Sequence, residues 1–202
     1  MMHRRRWLWI ILGIVTATAL APSYIRAYRL DGVSAAPSYL LGDLIIVNKA
    51  AYDIRLPYTG IVLLSHAQPK RGDVVWFKRS RTGPYVFKRV IGEPGDTIAM
   101  LENHLTINGT PLRYLPVARG AYDNVADANG LGTLIEQEIG CGPDHLISYT
   151  PGAGSQASVG PAVVPDGHLY LMGDNRDESL DSRMYGPLDR RYILGKVGRP
   201  HR

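Results

Sequence analysis

The chain has 202 residues and a mass of 22.3 kDa, which allows one domain, or one with a subdomain, and excludes a multi-module architecture. With 45% apolar and 20% charged residues it is neither disordered, collagen-like nor coiled-coil, and the single Cys141 excludes an intrachain disulfide framework and zinc sites built from cysteine pairs. A net charge of +5 and a pI near 9.4 leave two acidic partners open, nucleic acid or an anionic membrane surface.

The first element is apolar. Arg4, Arg5 and Arg6 precede a run without charge from Trp7 to Ala21, 15 residues, or about 19 with Ile25 as its far end. Such a run fits a short membrane span or a signal-peptide core. Pro22 follows the small residues Ala19-Leu20-Ala21 and disfavours cleavage there, so we expect an uncleaved anchor over residues 7–25 behind a cytoplasmic 1–6, with the bulk of the chain (26–202) outside. Trp7, Trp9, Tyr24 and Tyr28 flank the run, where amphipathic rings favour the headgroup layer.

From Leu30 the apolar runs are short: 40–47, 61–64, 73–77, 85–91, 104–107 and 167–172. Their bounding Gly and Pro residues predict strands, and Asn108-Gly109 predicts a tight hairpin after HLTI. Residues 117–160 read as a loop-rich insertion with one helix-like stretch at Leu134–Ile139. The predicted class is mainly β.

Three segments carry candidate chemistry. Ser34 sits in a turn before a strand, where most serines are structural; held close after a membrane segment, it is also a candidate nucleophile. Lys88 lies mid-strand between Val86 and Val90. It is either an edge lysine reaching solvent or a buried amine that loses its proton easily enough to act as a general base. The run GDNRDESLDSR (173–183) reads as a solvated turn; a calcium loop fails because Arg176 occupies a ligand position and the loop glycine is missing. The interleaved basic and aromatic residues of 76–89 fit a single-stranded nucleic-acid surface, but face anionic lipid with fewer assumptions. The six histidines show no metal-ligand spacing, and no G-x-S-x-G accompanies them. We therefore expect no metal and no cofactor.

In order, VSAAPSYLLGD, RGDVVWFK, YVFKRVIGEPGD and MGDNRDESLDSR resemble the blocks of type I signal peptidases, the membrane-anchored serine proteases of family S26. The resemblance implies an all-β catalytic core of coiled antiparallel sheet with a small cap, to which 117–160 contributes, preceded by one N-terminal transmembrane helix. It implies Ser34 as nucleophile, Lys88 as general base and Ser179 as the hydroxyl that orients the amine. Asp174, Arg89, Asp181 and Arg183 become charged supports, and substrate pairs with edges at 30–34 and 85–87, meeting Gly32, Val33, Ala35, Val86 and Phe87. The implied partners are preprotein signal peptides and the bilayer, not nucleic acid, and the implied place is the outer face of the cell membrane. Ala35 and Ser38 depart from the family's usual Met and Thr; with Gly32 in place of a serine, the Ser34 amide is the assignable oxyanion donor. A conjugation-type relative maturing one pilin would share the dyad, and a non-enzymatic tethered β domain is the other class.

Overall fold

The computed structural model describes residues 24–199 except 58, 81, 118–131 and 153–156, together with positions 6, 7, 9 and 13 near the N-terminus. Sixteen strands fall in this span. Most of the expected anchor therefore lies outside the described residues, among which no helix is long and apolar enough to cross a membrane. Ile25, read as the far end of the anchor, instead opens the first strand.

The main sheet holds seven antiparallel strands in the order β1 (Ile25–Arg29), β2 (Leu44–Asn48), β16 (Ile193–Val197), β5 (Val74–Lys78), β6 (Tyr85–Gly92), β14 (His168–Met172) and β15 (Leu188–Asp189). Its central strands are apolar without alternation because both faces are covered. In β5, Val75 and Phe77 pack with Val90, Leu169 and Leu171 in one cluster, while Val74 and Trp76 join Ile45, Val47 and Val197 in another. In β14, Tyr170 and Met172 turn away from Leu169 and Leu171 into a third cluster, shared with Ile98, Met100, Leu105 and Ile107. The loop after β1 also meets the loop after β14, through Asn175 N–H donating to Ser34 O at 3.2 Å. Since those strands are far apart in sheet order, the sheet is curled.

Smaller sheets complete the domain. One orders β13 (Val159–Val163), β7 (Thr97–Leu101), β8 (His104–Ile107) and β9 (Thr110–Pro111). Asn108 (φ 52°) and Gly109 (φ 78°) make the expected two-residue turn, both residues taking the left-handed conformation that such a hairpin requires. Another joins β10 (Arg113–Pro116), β11 (Leu134–Ile139) and β12 (His145–Tyr149). Thus 134–139, expected as helix-like, is a strand; its apolar residues do not alternate because Gln137 separates Ile135 from Ile139 on one face, while the other carries Glu136 and the fully buried Glu138 after Leu134. Likewise the 40–47 run is strand only from Leu44, the Leu40–Asp43 turn being closed by Asp43 N–H to Leu40 O at 3.0 Å. The last sheet is a lone hairpin, β3 (Asp53–Arg55) with β4 (Val62–Ser65). A one-turn helix, α1 (Ser182–Tyr185), is capped by Asp181.

Candidate active site

Ser34 is half-buried in the loop between β1 and β2. Leu30 N–H to Asp43 O (3.0 Å) and Gly42 N–H to Leu30 O (2.9 Å) close the neck of that loop. Ala35 and Ala36 are buried, Ala35 in the cluster with Val74 and Trp76; small side chains let the backbone enter the core here. Val33 is exposed and Gly32 half-buried. The loop's carbonyls are held from outside: Asn175 Nδ2 donates to Val33 O at 3.4 Å, Asn175 N–H to Ser34 O, and Ser148 Oγ to Ala36 O at 3.2 Å. The Ser34 N–H, in contrast, donates to no carbonyl among the described residues. Ser38, one of the two departures noted in the sequence, donates its hydroxyl to Leu146 O at 3.0 Å.

Lys88 lies on β6 opposite Val75 and is 3% exposed. The buried amine, not the edge lysine, is what the chain builds. Burial lowers its pKa from 10.5 to about 8, against the opposing pull of the Asp181 and Asp174 carboxylates and with a smaller push from Arg183. Among the described residues Lys88 makes no ion pair. Val86 and Phe87 on the same strand are half-buried.

Gly173 brings the parts together. It follows Met172, which pairs with Arg89, so the next register step sets Gly173 beside Lys88. Its N–H donates to Asp181 Oδ2 at 3.0 Å, and Ser179 Oγ donates to the same oxygen at 2.6 Å. A Cβ on Gly173 would press on Ser179 Oγ and lie 2.5 Å from the backbone oxygen of Ser34, so the Ser34 carbonyl, Gly173, Ser179 and Asp181 occupy one spot. Arg183 donates to Asp181 through Nε (2.8 Å) and Nη2 (2.8 Å). Burial alone would raise the Asp181 pKa, but these bonds and the Arg183 charge outweigh it and hold the group below the ordinary carboxylate value.

The Gly173 contacts predict that Gly173→Ala, although it adds only a methyl group, costs about 1–3 kcal/mol of stability through overpacking and lowers turnover by separating Ser34 from Ser179. Urea unfolding and single-turnover rates on the same preparation check both; unchanged turnover would mean that this close approach is incidental.

Beneath this spot Arg89 grips Asp174 with two parallel bonds, Nε to Oδ1 at 2.8 Å and Nη2 to Oδ2 at 2.6 Å, while Nη1 reaches Gly72 O at 3.0 Å. Both residues are buried. Desolvation works to raise the Asp174 pKa and the Arg89 charge and bonds reverse it, leaving it lowered. The four charged residues expected as supports are thus two buried pairs, Arg89–Asp174 and Arg183–Asp181.

Sequence reasoning missed a second buried layer. Glu138 accepts from Arg176 Nη2 at 2.7 Å and from Tyr114 Oη at 2.8 Å, with His145 Nε2 3.2 Å away. Its pKa is about 2, because the charge of Arg176 and contacts with His145 outweigh full burial. This pair fastens β11 to the turn that carries Asn175. Arg176, which broke the calcium pattern in the sequence, is a core residue here. Its N–H also donates to Ser148 O at 2.8 Å, so β12 braces both the Ser34 loop and the 174–176 turn. The one available signal was an arginine among the acidic residues of the motif, without any indication of its partner.

Two features bear on ligand access. Tyr85, Val86 and Phe87 pair with β5 on one edge, while β14 begins pairing only at Arg89, so the other edge of 85–87 has no strand partner among the described residues. Two cavities, of about 560 and 460 Å³, include neither Ser34 nor Lys88 nor any of 85–87; they are lined by groups such as Asp53 and Arg190, and Ser38 and His145, respectively. The candidate site is therefore an open edge.

A family model described as signal peptidase, peptidase S26, matches residues 4–201. A Pseudomonas aeruginosa protein named signal peptidase I is 34% identical over 86% of this chain, and the chain spans 60% of that relative's length. A Bacillus caldolyticus signal peptidase I is 32% identical over 96% of this chain and 87% of its own length. A solved signal peptidase I from Enterococcus faecalis is 29% identical, covering 65% of this chain and 98% of its own, with a TM-score of 0.38. From the residues before the apolar run to the end of β16, the match takes in every candidate residue above, and the chain belongs to the signal peptidase, peptidase S26, family.

Proposed function

We propose that the protein is a membrane-anchored serine endopeptidase that removes N-terminal signal peptides from exported preproteins after small residues, with Ser34 as nucleophile and Lys88 as general base. The observation that carries this reading is the buried Lys88, its pKa lowered to about 8, on the strand beside the spot where Ser34, Ser179 and Asp181 meet. An amine with that pKa is half deprotonated in mildly alkaline solution, whereas an ordinary lysine is not.

The steps follow from donors and acceptors. An extended signal-peptide segment adds to the open edge of 85–87 and is faced by residues 30–34. Neutral Lys88 takes the Ser34 hydroxyl proton as Oγ attacks the scissile carbonyl carbon. The Ser34 N–H, uncommitted among the described residues, donates to the oxygen as it becomes negative. Collapse breaks the C–N bond, and protonated Lys88 returns its proton to the departing amine of the mature protein. Water, deprotonated by Lys88, then hydrolyses the ester and restores Ser34. Because the Ser179 proton is committed to Asp181, Ser179 Oγ can act only as an acceptor toward Lys88, which turns the amine's lone pair toward Ser34. The Asp181 and Asp174 carboxylates favour the protonated amine, and their pairing with Arg183 and Arg89 limits that pull, so that burial still prevails. The anchor places this chemistry on the outer membrane face, with residues 1–6 in the cytoplasm.

The non-enzymatic alternative, a nucleic-acid platform at 76–89, is disfavoured by packing. Trp76 and Phe77 are buried, and Tyr85 is stacked on Trp76 at 4.2 Å and capped by Lys78; a base would have to displace these contacts. The test is incubation of the full chain in detergent with a preprotein ending its signal in Ala-x-Ala, followed by N-terminal sequencing of the product. We expect a single cut after the second alanine, unaffected by EDTA, because among the described residues no three His, Cys, Asp or Glu side chains converge as ligands. No cut, a cut after large residues, or reversible loss with EDTA would contradict the proposal.

A further inference from the structure

Asn175 takes no part in the steps above, yet the residues on both sides of it are fixed in the core. Asp174 is held by Arg89 and Arg176 by Glu138, and both pairs are buried. Between them Asn175 is half-buried and bridges to Ser148 in the manner of a strand, with Ser148 N–H donating to Asp174 O at 2.9 Å and Arg176 N–H to Ser148 O at 2.8 Å. Side chains alternate along such a stretch. Asp174 and Arg176 therefore point into the protein, and Asn175 points the other way, at the Ser34 loop. Buried ion pairs add little net stability, because desolvation offsets their attraction; what these two do is fix the backbone on either side of one asparagine.

The Asn175 side chain is engaged at both ends. Its Oδ1 accepts from the N–H groups of Asp177 (3.3 Å) and Glu178 (3.1 Å), closing the turn, while Nδ2 donates to Val33 O at 3.4 Å. Val33 O takes a second bond from Ala36 N–H at 3.0 Å, so both of its lone pairs are occupied. The Asn175 N–H donates in turn to Ser34 O at 3.2 Å. One residue thus holds the carbonyl before the nucleophile and the nucleophile's own.

Val33 O and the Ser34 N–H belong to the same peptide unit. That unit is planar and trans, so its oxygen and its N–H point in opposite directions, and holding the oxygen sets the direction of the N–H. Donation to the oxygen also polarises the amide and strengthens the N–H as a donor. The Ser34 N–H is the group assigned above to the developing oxyanion, and no carbonyl among the described residues competes for it.

We propose that Asn175 is a positioning residue for oxyanion binding: its amide locks the Val33–Ser34 peptide so that the Ser34 N–H meets the tetrahedral intermediate without reorganising. The inference rests on the reading of Ser34 as nucleophile, and the test separates the two. Asparagine suits the place because it donates and accepts at once. Aspartate would keep the two turn bonds but set a carboxylate oxygen against Val33 O, and alanine would lose both ends.

Asn175→Asp and Asn175→Ala are compared with the parent as full chains in detergent. We expect kcat on an Ala-x-Ala peptide substrate to fall by about 10- to 100-fold, less than the loss from deleting an oxyanion donor outright, with KM changed by less than about two-fold. The pH profile of Asn175→Ala should keep the parent's ionisation, because Lys88 is untouched. An Ala-x-Ala boronic acid accepts Ser34 Oγ on boron, the hydroxyl proton passing to Lys88, and the tetrahedral adduct carries a negative oxygen. Its affinity should fall by the same factor as kcat/KM, while an uncleavable peptide carboxamide binds parent and variants alike. Equal weakening of boronate and carboxamide would assign Asn175 to substrate binding, and a displaced pH profile would assign it to Lys88; either overturns the proposal, as do unchanged kinetics. Loss of cooperative urea unfolding in both variants overturns it too, by making the residue a structural one. A boronate that forms no bond to Ser34 in the parent refutes the nucleophile reading and this inference with it, whereas a Ser34 adduct equally tight in Asn175→Asp refutes this inference alone.

Discussion

Ser34→Ala and Lys88→Ala are each expected to lower preprotein cleavage by about 10³-fold or more while the protein still unfolds cooperatively, and the double variant should be little worse than either single one. Groups that act as one unit give such non-additive losses, because removing either leaves the other without a function. Lys88→Arg should fail equally. Its guanidinium keeps its proton at every usable pH and cannot receive one from Ser34. Restoration of activity by arginine would remove Lys88 from the base role and reduce it to a positive charge near the oxyanion. Circular dichroism and urea unfolding on each variant show that a loss belongs to chemistry, since Ser34 is half-buried and its hydroxyl is not part of the core.

The second large effect couples activity to stability in opposite directions. With the Lys88 pKa lowered from 10.5 to about 8, chiefly by burial, kcat/KM should rise along an ionisation near pH 8 and fall about 50-fold between pH 8 and pH 6. The same shift has a defined sign in folding. Between about pH 8 and 10.5 the unfolded chain holds a proton on this amine that the folded chain has released, so stability rises with pH across that window. Below pH 8 the folded state carries the whole cost of a buried ammonium, about 3 kcal/mol from the difference in pKa. Lys88→Met keeps the length and volume and removes the charge. It should be inactive yet more stable than the parent by about 3 kcal/mol at pH 7, with the advantage largely gone by pH 10.5. Urea titrations at the two pH values measure this. A Lys88→Met protein less stable than the parent at pH 7 would mean that the amine is a favourable structural contact, not a strained catalytic one.

What the sequence conveyed and what it concealed have physical reasons. DVVWF and GHLYLM were legible as strands because a sheet covered on both faces needs apolar residues at every position, and Asn108-Gly109 was legible because few pairs adopt two successive positive φ values. Leu134–Ile139 was misread because polar side chains interrupt both faces of the strand, Gln137 between Ile135 and Ile139 on one, and on the other Glu136 and the buried Glu138. Its partners Arg176, Tyr114 and His145 come from other strands and turns, and no local pattern announces them. Lys88 could not be resolved from its own strand either. Val86 and Val90 suit an edge lysine as well as a buried one, and burial is decided by Val75 across the sheet and by the 173–183 turn above it. The supports Asp181 and Arg183 are local, one cap and its first turn, so their pairing was within reach of the sequence. The bracing of the Ser34 loop by Asn175, Ser148 and Ser38 depends on the curling of the sheet, which brings the loops after β1 and β14 together.

On the proposed mechanism Ser34 attacks the carbonyl carbon and Lys88 makes it able to. The most direct test is covalent. The full chain is mixed at pH 8 with an Ala-x-Ala peptide activated ester, quenched in acid within the first turnover, digested and mapped by mass spectrometry. One acyl adduct is expected, on Ser34, forming with a rate that rises through pH 8 and is lost in Lys88→Ala. Acylation of another residue, or acylation of Ser34 at the same rate and with the same pH dependence when Lys88 is alanine, would contradict it.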